Sequence, residues 1–200
     1  MTKASIAARG RSALVGLMAL TVVAAVVLTG TTPSGAASRP AMVKDGGSTA
    51  PGTLIASEPV TASGVDGTAY LVEYWSKTVP KNKPVKVTGL VFVPPGTAPA
   101  GGWPVVTWAH PTDGTNKFCA PSLDPSTDVP NINNLLGQGW EVTATDYQGE
   151  ANSSILPKSP GILPYLVGTS AARNTLDIVK AALQLPAADA SANYVVWRCV

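Results

Sequence analysis

The residues best placed to do chemistry lie in one stretch, Trp103 to Ser122, WPVVTWAHPTDGTNKFCAPS. A short apolar run, Pro104 to Trp108, closes on His110, the single histidine of the chain. It then breaks into the turn-rich loop Pro111-Thr112-Asp113-Gly114-Thr115-Asn116. A buried strand that stops at such a loop delivers backbone N–H groups to the carboxyl edge of a sheet, where α/β enzymes hold ligands and developing negative charge. An ordinary strand-to-loop exit is the plainer alternative. Asp146 and Tyr147 end a later strand at the same edge and are expected to brace the neighbouring loops by hydrogen bonds, with an acid–base role the lesser reading. One histidine and two distant cysteines, Cys119 and Cys199, have no metal-ligand spacing, and no carboxylate cluster suggests calcium. No Gly-rich phosphate loop occurs, so no cofactor is expected.

Composition bounds the setting. Two hundred residues suggest one domain, and residues 1–37 are not counted in it. Lys3, Arg9 and Arg11 precede an uninterrupted apolar, small and threonine run from Ala13 to Leu28, and Gly35-Ala36-Ala37 offers small residues for cleavage. That pattern is a secretory signal peptide. Its run is short for a membrane span of about 20 residues, so no permanent membrane anchor is expected. Of 14 basic and 12 acidic residues, three basic ones leave with residues 1–37, which makes 11 against 12. No basic stripe remains for nucleic acid. The lysines at 77, 81, 83 and 86 read as a solvated hairpin or loop. In an exported chain the count of two cysteines allows one bridge.

The elements that must position these residues can be read in order. Residues 38–51, rich in Gly, Ser, Ala and Pro, read as a mobile mature terminus, and residues 52–200 as the folded part. Gly52 to Val65 is loosely apolar and is expected to lie over the domain. Ala69 to Trp75 and Val85 to Val93 read as strands paired in a hairpin. Pro104 to Ala109 is a strand, Val129 to Gln138 a helix with Ile132, Leu135 and Leu136 on one face, and Trp140 to Thr145 a strand. Residues 150–168 form a long proline- and glycine-rich yet apolar connection. A helix follows, capped by Thr169 or Ser170 and closed by Pro186. Ala172, Leu176, Val179 and Leu183 form its apolar face, and Arg173 and Asp177 are spaced for an ion pair. Asn193 to Trp197 is a last strand. Strands alternating with helices predict an α/β fold with a mainly parallel sheet covered on both faces.

At this point the chain resembles a family, the secretory lipases of the α/β-hydrolases (the yeast lipase-A type and its actinobacterial relatives). The matching stretches are VTGLVFVPPG, WPVVTWAHPTDGT, the CAPS at Cys119 to Ser122, LLGQGWEVTATDYQG and PYLVGTSAARNTLDIVKAA. They run in order from about Gly52 to Trp197. The resemblance implies the N-terminal part of an α/β-hydrolase fold and a secreted serine esterase or lipase acting on lipid or other small-molecule esters. In that chemistry a serine attacks the ester carbonyl, a histidine moves the proton and backbone N–H groups hold the oxyanion. By resemblance, Thr112 and Asp113 are the oxyanion-hole candidates, with a turn before Gly114 the alternative role for Asp113. Pro111 has no N–H to offer. His110, Gly114, Asp146 and Tyr147 are expected to line the site. His110 precedes any nucleophile in chain order and so reads as a bracing residue rather than the general base. Cys119, in the family position, suggests a disulfide that pins the oxyanion loop.

The family's Gly-x-Ser-x-Gly elbow is expected directly after the strand ending at Trp197, and there the chain reads Arg198-Cys199-Val200. No Gly-x-Ser-x-Gly occurs in these residues, and no histidine follows His110. The nucleophile, acid and base are therefore expected beyond Val200, in a chain truncated after the strand preceding the nucleophile. The last strand would then be an apolar edge prone to pairing. In that case Cys199 is not the family's bridge partner. A non-catalytic secreted protein that binds lipid or a partner through residues 155–167 is the alternative reading.

Overall fold

The computed structural model describes residues 47–150 and 162–198. The signal segment, most of the 38–51 terminus, Cys199 and the middle of the 150–168 connection lie outside them. Six strands form one sheet: β1 (Leu54–Val60), β2 (Thr68–Lys77), β3 (Pro84–Val93), β4 (Trp103–Ala109), β5 (Glu141–Thr145) and β6 (Ala190–Arg198). Two helices, α1 (Val129–Gly137) and α2 (Gly168–Ala182), separate the later strands.

The spatial order is β1-β2-β3-β5-β4-β6. The hairpin read from sequence is present, with β2 antiparallel to β3 from Thr68↔Val93 to Lys77↔Pro84. Parallel pairing is confined to β5, β4 and β6. β1 pairs antiparallel with β2, and β3 with β5. The sheet is therefore mixed, antiparallel on the hairpin side and parallel where β–α–β connections operate. Gly52 to Val65, expected as a cover, instead supplies β1. Its alternation Leu54, Ala56 against Ile55 and Glu58 is too short and too often broken by small residues to announce a strand without its partner.

β3 shows how sequence builds the layers. Successive side chains of a strand point to opposite faces. Val87 and Val91 join Leu54, Val72, Tyr74 and Ile178 in a core beneath α2. Leu90 and Phe92 join Leu71, Val106, Ile132, Leu136 and Val142 in a second core beneath α1. Each helix thus covers one face. Gly89 lets α2 approach, because a Cβ there would run into the Ala144 carbonyl oxygen and Ile178 Cδ1.

The register of α2 differs from the expected one. Its buried residues are Ser170, Asn174, Thr175, Asp177, Ile178, Val179, Ala181 and Ala182, while Leu176 and Leu183 are exposed. The inner face is chosen by a polar network that periodicity cannot see. Asn174 Nδ2 donates to Ser76 Oγ (2.8 Å), which donates to Asp177 Oδ2 (2.8 Å). Asp177 pairs with Lys180 at 2.8 Å, not with Arg173, whose guanidinium reaches the Thr78 carbonyl and Asn82. Neither Thr169 nor Ser170 caps the helix, since its N-cap is Val167, and Ala182 ends it before Pro186. At the far edge, β6 leaves Tyr194, Val195, Val196 and Trp197 exposed on both faces. No helix among the described residues is long and apolar enough to cross a membrane.

Candidate functional site

The carboxyl ends of β4 and β5 lie side by side, because Trp108 pairs with Ala144 in parallel register. Both strands therefore release their chains at one edge. His110 leaves β4 and Asp146 leaves β5. Their loops are then tied together by side chains.

Asp146 is fully buried and anchors the first tie. Its Oδ2 accepts from the hydroxyls of Thr88 and Ser122, and its Oδ1 accepts the Ser122 N–H at 2.9 Å. Burial raises its carboxyl above the ordinary 3.8, while the bonds from Ser122 and Thr88 and the nearby His110 pull it back. Ser122 belongs to the second of two 3-10 turns, Lys117–Cys119 and Pro121–Leu123, so Asp146 fixes the chain that follows the polar loop. It sits behind the site wall and does not line the cavity.

Tyr147 makes the second tie. It adopts φ +60°, a left-handed conformation that is uncommon for a bulky side chain. There its ring lies 4.4 Å from the His110 ring, centroid to centroid, and its hydroxyl donates to the His110 carbonyl at 3.1 Å. The turn is held from below by α2, where Asn174 Oδ1 accepts the Gln148 N–H (2.9 Å). The Asn174 carbonyl also accepts from the Tyr74 hydroxyl (3.1 Å), which lies 2.6 Å from Thr145 Oγ1. Burial raises the Tyr74 hydroxyl well above its ordinary value, so it stays protonated and keeps donating.

The loop Pro111 to Asn116 folds over this platform. Gly114 has φ +146°, and a Cβ there would overlap Cys119 Sγ. Cys119 is a free thiol packed against the loop; the residue expected by count to pair with it, Cys199, is outside the described residues. Among the described residues the backbone N–H groups of Thr112, Asp113 and Gly114 have no partner, which leaves them open to a ligand. The side chain of Asp113 is half exposed, with Oδ2 3.4 Å from His110 Nδ1.

These elements wall a cavity of about 700 Å³. Its polar side is His110, Pro111, Thr112, Gly114, Tyr147 and Gln148, together with Glu150. Its apolar side is Leu163, Tyr165, Leu166, Leu176 and Val196. Leu176, expected in the core, thus faces the cavity. Of the residues singled out from sequence, His110, Thr112, Gly114 and Tyr147 meet here, while Asp113 lines a separate small cleft beneath the loop.

Glu150 and Gln148 were not legible as site residues. Both are buried, at 3% and 7% exposure, on the wall of the cavity. Glu150 Oε2 lies 3.8 Å from His110 Nε2, too far for a hydrogen bond, and neither atom has a hydrogen-bond partner. Burial, followed by the nearby Asp146 and Asp113, pushes the Glu150 carboxyl up to about 8. His110 Nδ1 lies 2.6 Å from the Pro111 carbonyl oxygen. A carbonyl only accepts, so Nδ1 carries a hydrogen, and in the Nδ1–H tautomer the Nε2 lone pair faces Glu150. No group of three or more His, Cys, Asp or Glu side chains among the described residues could hold a metal ion.

No protein-family profile matches the chain, and no curated protein sequence does. Solved structures do. The ligand-bound rice cell wall degrading esterase LipA from Xanthomonas oryzae is 26% identical with a TM-score of 0.58, over 74% of this chain and 42% of the esterase. A second structure of the same esterase gives 25% identity and a TM-score of 0.59. Lipase A from Candida antarctica matches in fold, with a TM-score of 0.58 at 19% identity over 74% of this chain and 35% of the lipase. The architecture is that of the α/β-hydrolase lipases and esterases, and the chain spans 42% or less of the length of these proteins.

Proposed function

We propose that this chain forms the oxyanion side and much of the ligand cavity of a secreted ester hydrolase of the secretory lipase type, acting on acylglycerols or similar carboxylic esters. The observation that carries the reading is the 700 Å³ cavity at the carboxyl ends of β4 and β5, with unpartnered N–H groups at its polar rim and Leu163, Leu166 and Leu176 on its apolar side. An ester carbonyl seated against the loop would direct its oxygen to the N–H of Thr112, the oxyanion candidate that lines the cavity, where negative charge develops during attack. The acyl chain would lie on the leucines. The basic residues before the apolar run at Ala13 to Leu28 support export.

Turnover needs parts that this sequence does not contain. His110 is committed through Nδ1 to Pro111 and turns Nε2 to Glu150, so it is not presented to a serine hydroxyl. No Gly-x-Ser-x-Gly elbow is present to supply one. In this reading the chain binds esters but does not cleave them.

The test is to mix the purified chain with p-nitrophenyl butyrate and decanoate, measuring both binding, by displacement of an apolar fluorophore, and release of p-nitrophenol. Saturable binding without turnover is expected. Turnover blocked by an organophosphate would overturn the incomplete-machinery part, and absence of binding would overturn the ester-pocket part. A second reading, a lipid-binding protein without an ester site, is favoured by the exposure of Ile162 and Leu166, each 86%. It requires alkanes and esters of equal length to bind alike.

A further inference from the structure

Four polar atoms on the cavity wall are buried and without partners: His110 Nε2, Glu150 Oε2, Gln148 Oε1 and, at the start of α2, Ser170 Oγ. Buried polar groups are nearly always paired, and orphans that share one cavity wall point to something that fills it. Their chemistry is asymmetric. His110 Nε2 is an acceptor in the Nδ1–H tautomer, whose hydrogen meets the Pro111 carbonyl. Gln148 Oε1 is an acceptor, its amide nitrogen already donating to the Ile162 carbonyl at 3.2 Å. The carboxyl of Glu150, neutral below about pH 8, supplies the donor.

The gap between His110 Nε2 and Glu150 Oε2 is 3.8 Å. One oxygen atom placed about 2.8 Å from each spans it with hydrogen bonds of ordinary length. That oxygen must accept from Glu150 and donate to His110, which is the inventory of a hydroxyl. An ether or ketone would leave Nε2 unpaired. An ammonium would bury a charge against a neutral carboxyl. The apolar wall of Leu163, Leu166, Leu176 and Val196 continues from the polar one.

We propose that His110 and Glu150 clamp the hydroxyl of a neutral aliphatic alcohol whose hydrocarbon chain lies along this apolar wall. The inference rests on the ester-site reading for its class of ligand, since the alcohol is the half of an ester that leaves with a hydroxyl. It adds a pH response. Glu150 is faced by His110 and Asp113 from the loop after β4 and by Asp146 from the end of β5. Once Glu150 ionises, above about pH 8, both clamp atoms are acceptors competing for one hydroxyl hydrogen, and the clamp itself no longer donates to the oxygen. Alcohol affinity then falls.

Calorimetric titration of the full chain with 1-hexanol and with its methyl ether tests this at pH 6.5 and pH 9, chosen as roughly 1 to 1.5 units either side of the titration. The alcohol is expected to bind about tenfold tighter than the ether at the lower pH and to lose that advantage at the higher one. Glu150→Leu should remove the preference at both. Glu150→Gln, whose amide still donates, should keep it and flatten the pH dependence, a rescue that a merely structural role would not produce. Equal affinities for alcohol and ether, or an unchanged preference in Glu150→Leu, would overturn the clamp. Intact alcohol selectivity with no binding of p-nitrophenyl esters would instead sink the ester reading and leave the clamp standing.

Discussion

Replacing Glu141 by Gln should make the protein more stable, and more so as the pH rises. Glu141 opens β5 between β3 and β4, is 0% exposed, and has no hydrogen-bond partner for either carboxyl oxygen. Burial first, and Asp189 second, push it from 4.5 up to about 8. The folded value lies above the unfolded one, so folding takes up a proton between these limits and stability falls as pH rises through them. Each pH unit is worth about 1.4 kcal/mol, which gives a penalty of about 3 kcal/mol at pH 7 and about 5 kcal/mol above pH 8. Relaxation of the folded chain makes both figures upper bounds. Glu141→Gln removes this titration and retains the buried polar group. Urea unfolding followed by tryptophan fluorescence at pH 5, 6, 7 and 8 gives the difference between the two proteins. Glu150 titrates at the opposite end of β5 in both proteins and cancels. The difference is expected to be small near pH 5 and to grow by several kcal/mol by pH 8. A difference that stays flat across this range would refute the assignment of a neutral, unpartnered Glu141.

Three further outcomes follow from the geometry. Gly114→Ala should cost about 1–2 kcal/mol, because it strains a positive φ and drives Cβ into Cys119 Sγ; removing that sulfur with Cys119→Ala in the same chain should restore part of the loss in thermal unfolding. Ile178→Ala should cost about 2–5 kcal/mol in urea, whereas Leu176→Ser should cost less than about 1 kcal/mol and weaken binding of p-nitrophenyl decanoate, because the first faces the core and the second the cavity. Asp146→Asn leaves one oxygen for three donors and should cost about 1–3 kcal/mol, with faster proteolysis near residues 117–123 as the local readout.

The strands near the site were legible because their signal is local. β2 and β3 carry long β-branched and aromatic runs around a lysine- and proline-rich turn, and β4, β5 and α1 have clear apolar cores with hard stops. β1 was not legible, since a short strand at a sheet edge draws its identity from the partner it pairs with. The face of α2 was misread for a related reason. Hydrophobic periodicity places Leu176 and Leu183 inward, yet Asn174 and Asp177 take that side because Ser76 and the Gln148 N–H satisfy their side chains there. Polar burial depends on partners 26 to 101 residues away, and no window along the chain holds both.

The site divides in the same way. The order of residues was sufficient to mark the edge where chemistry is placed: a strand ending in His110, Pro111 without an N–H, a small polar loop after it, and Asp146-Tyr147 closing the next strand. It was also sufficient to show that no serine elbow lies among these residues. Only the tertiary structure set Asp146 behind the wall, seated His110 Nδ1 against the Pro111 carbonyl, and brought Glu150 to 3.8 Å from Nε2. The reason is electrostatic. A carboxyl's charge is set by how much water and how many donors the whole fold leaves it, and at Glu150 and Glu141 that environment is assembled from strands, loops and a helix that meet only when the sheet forms.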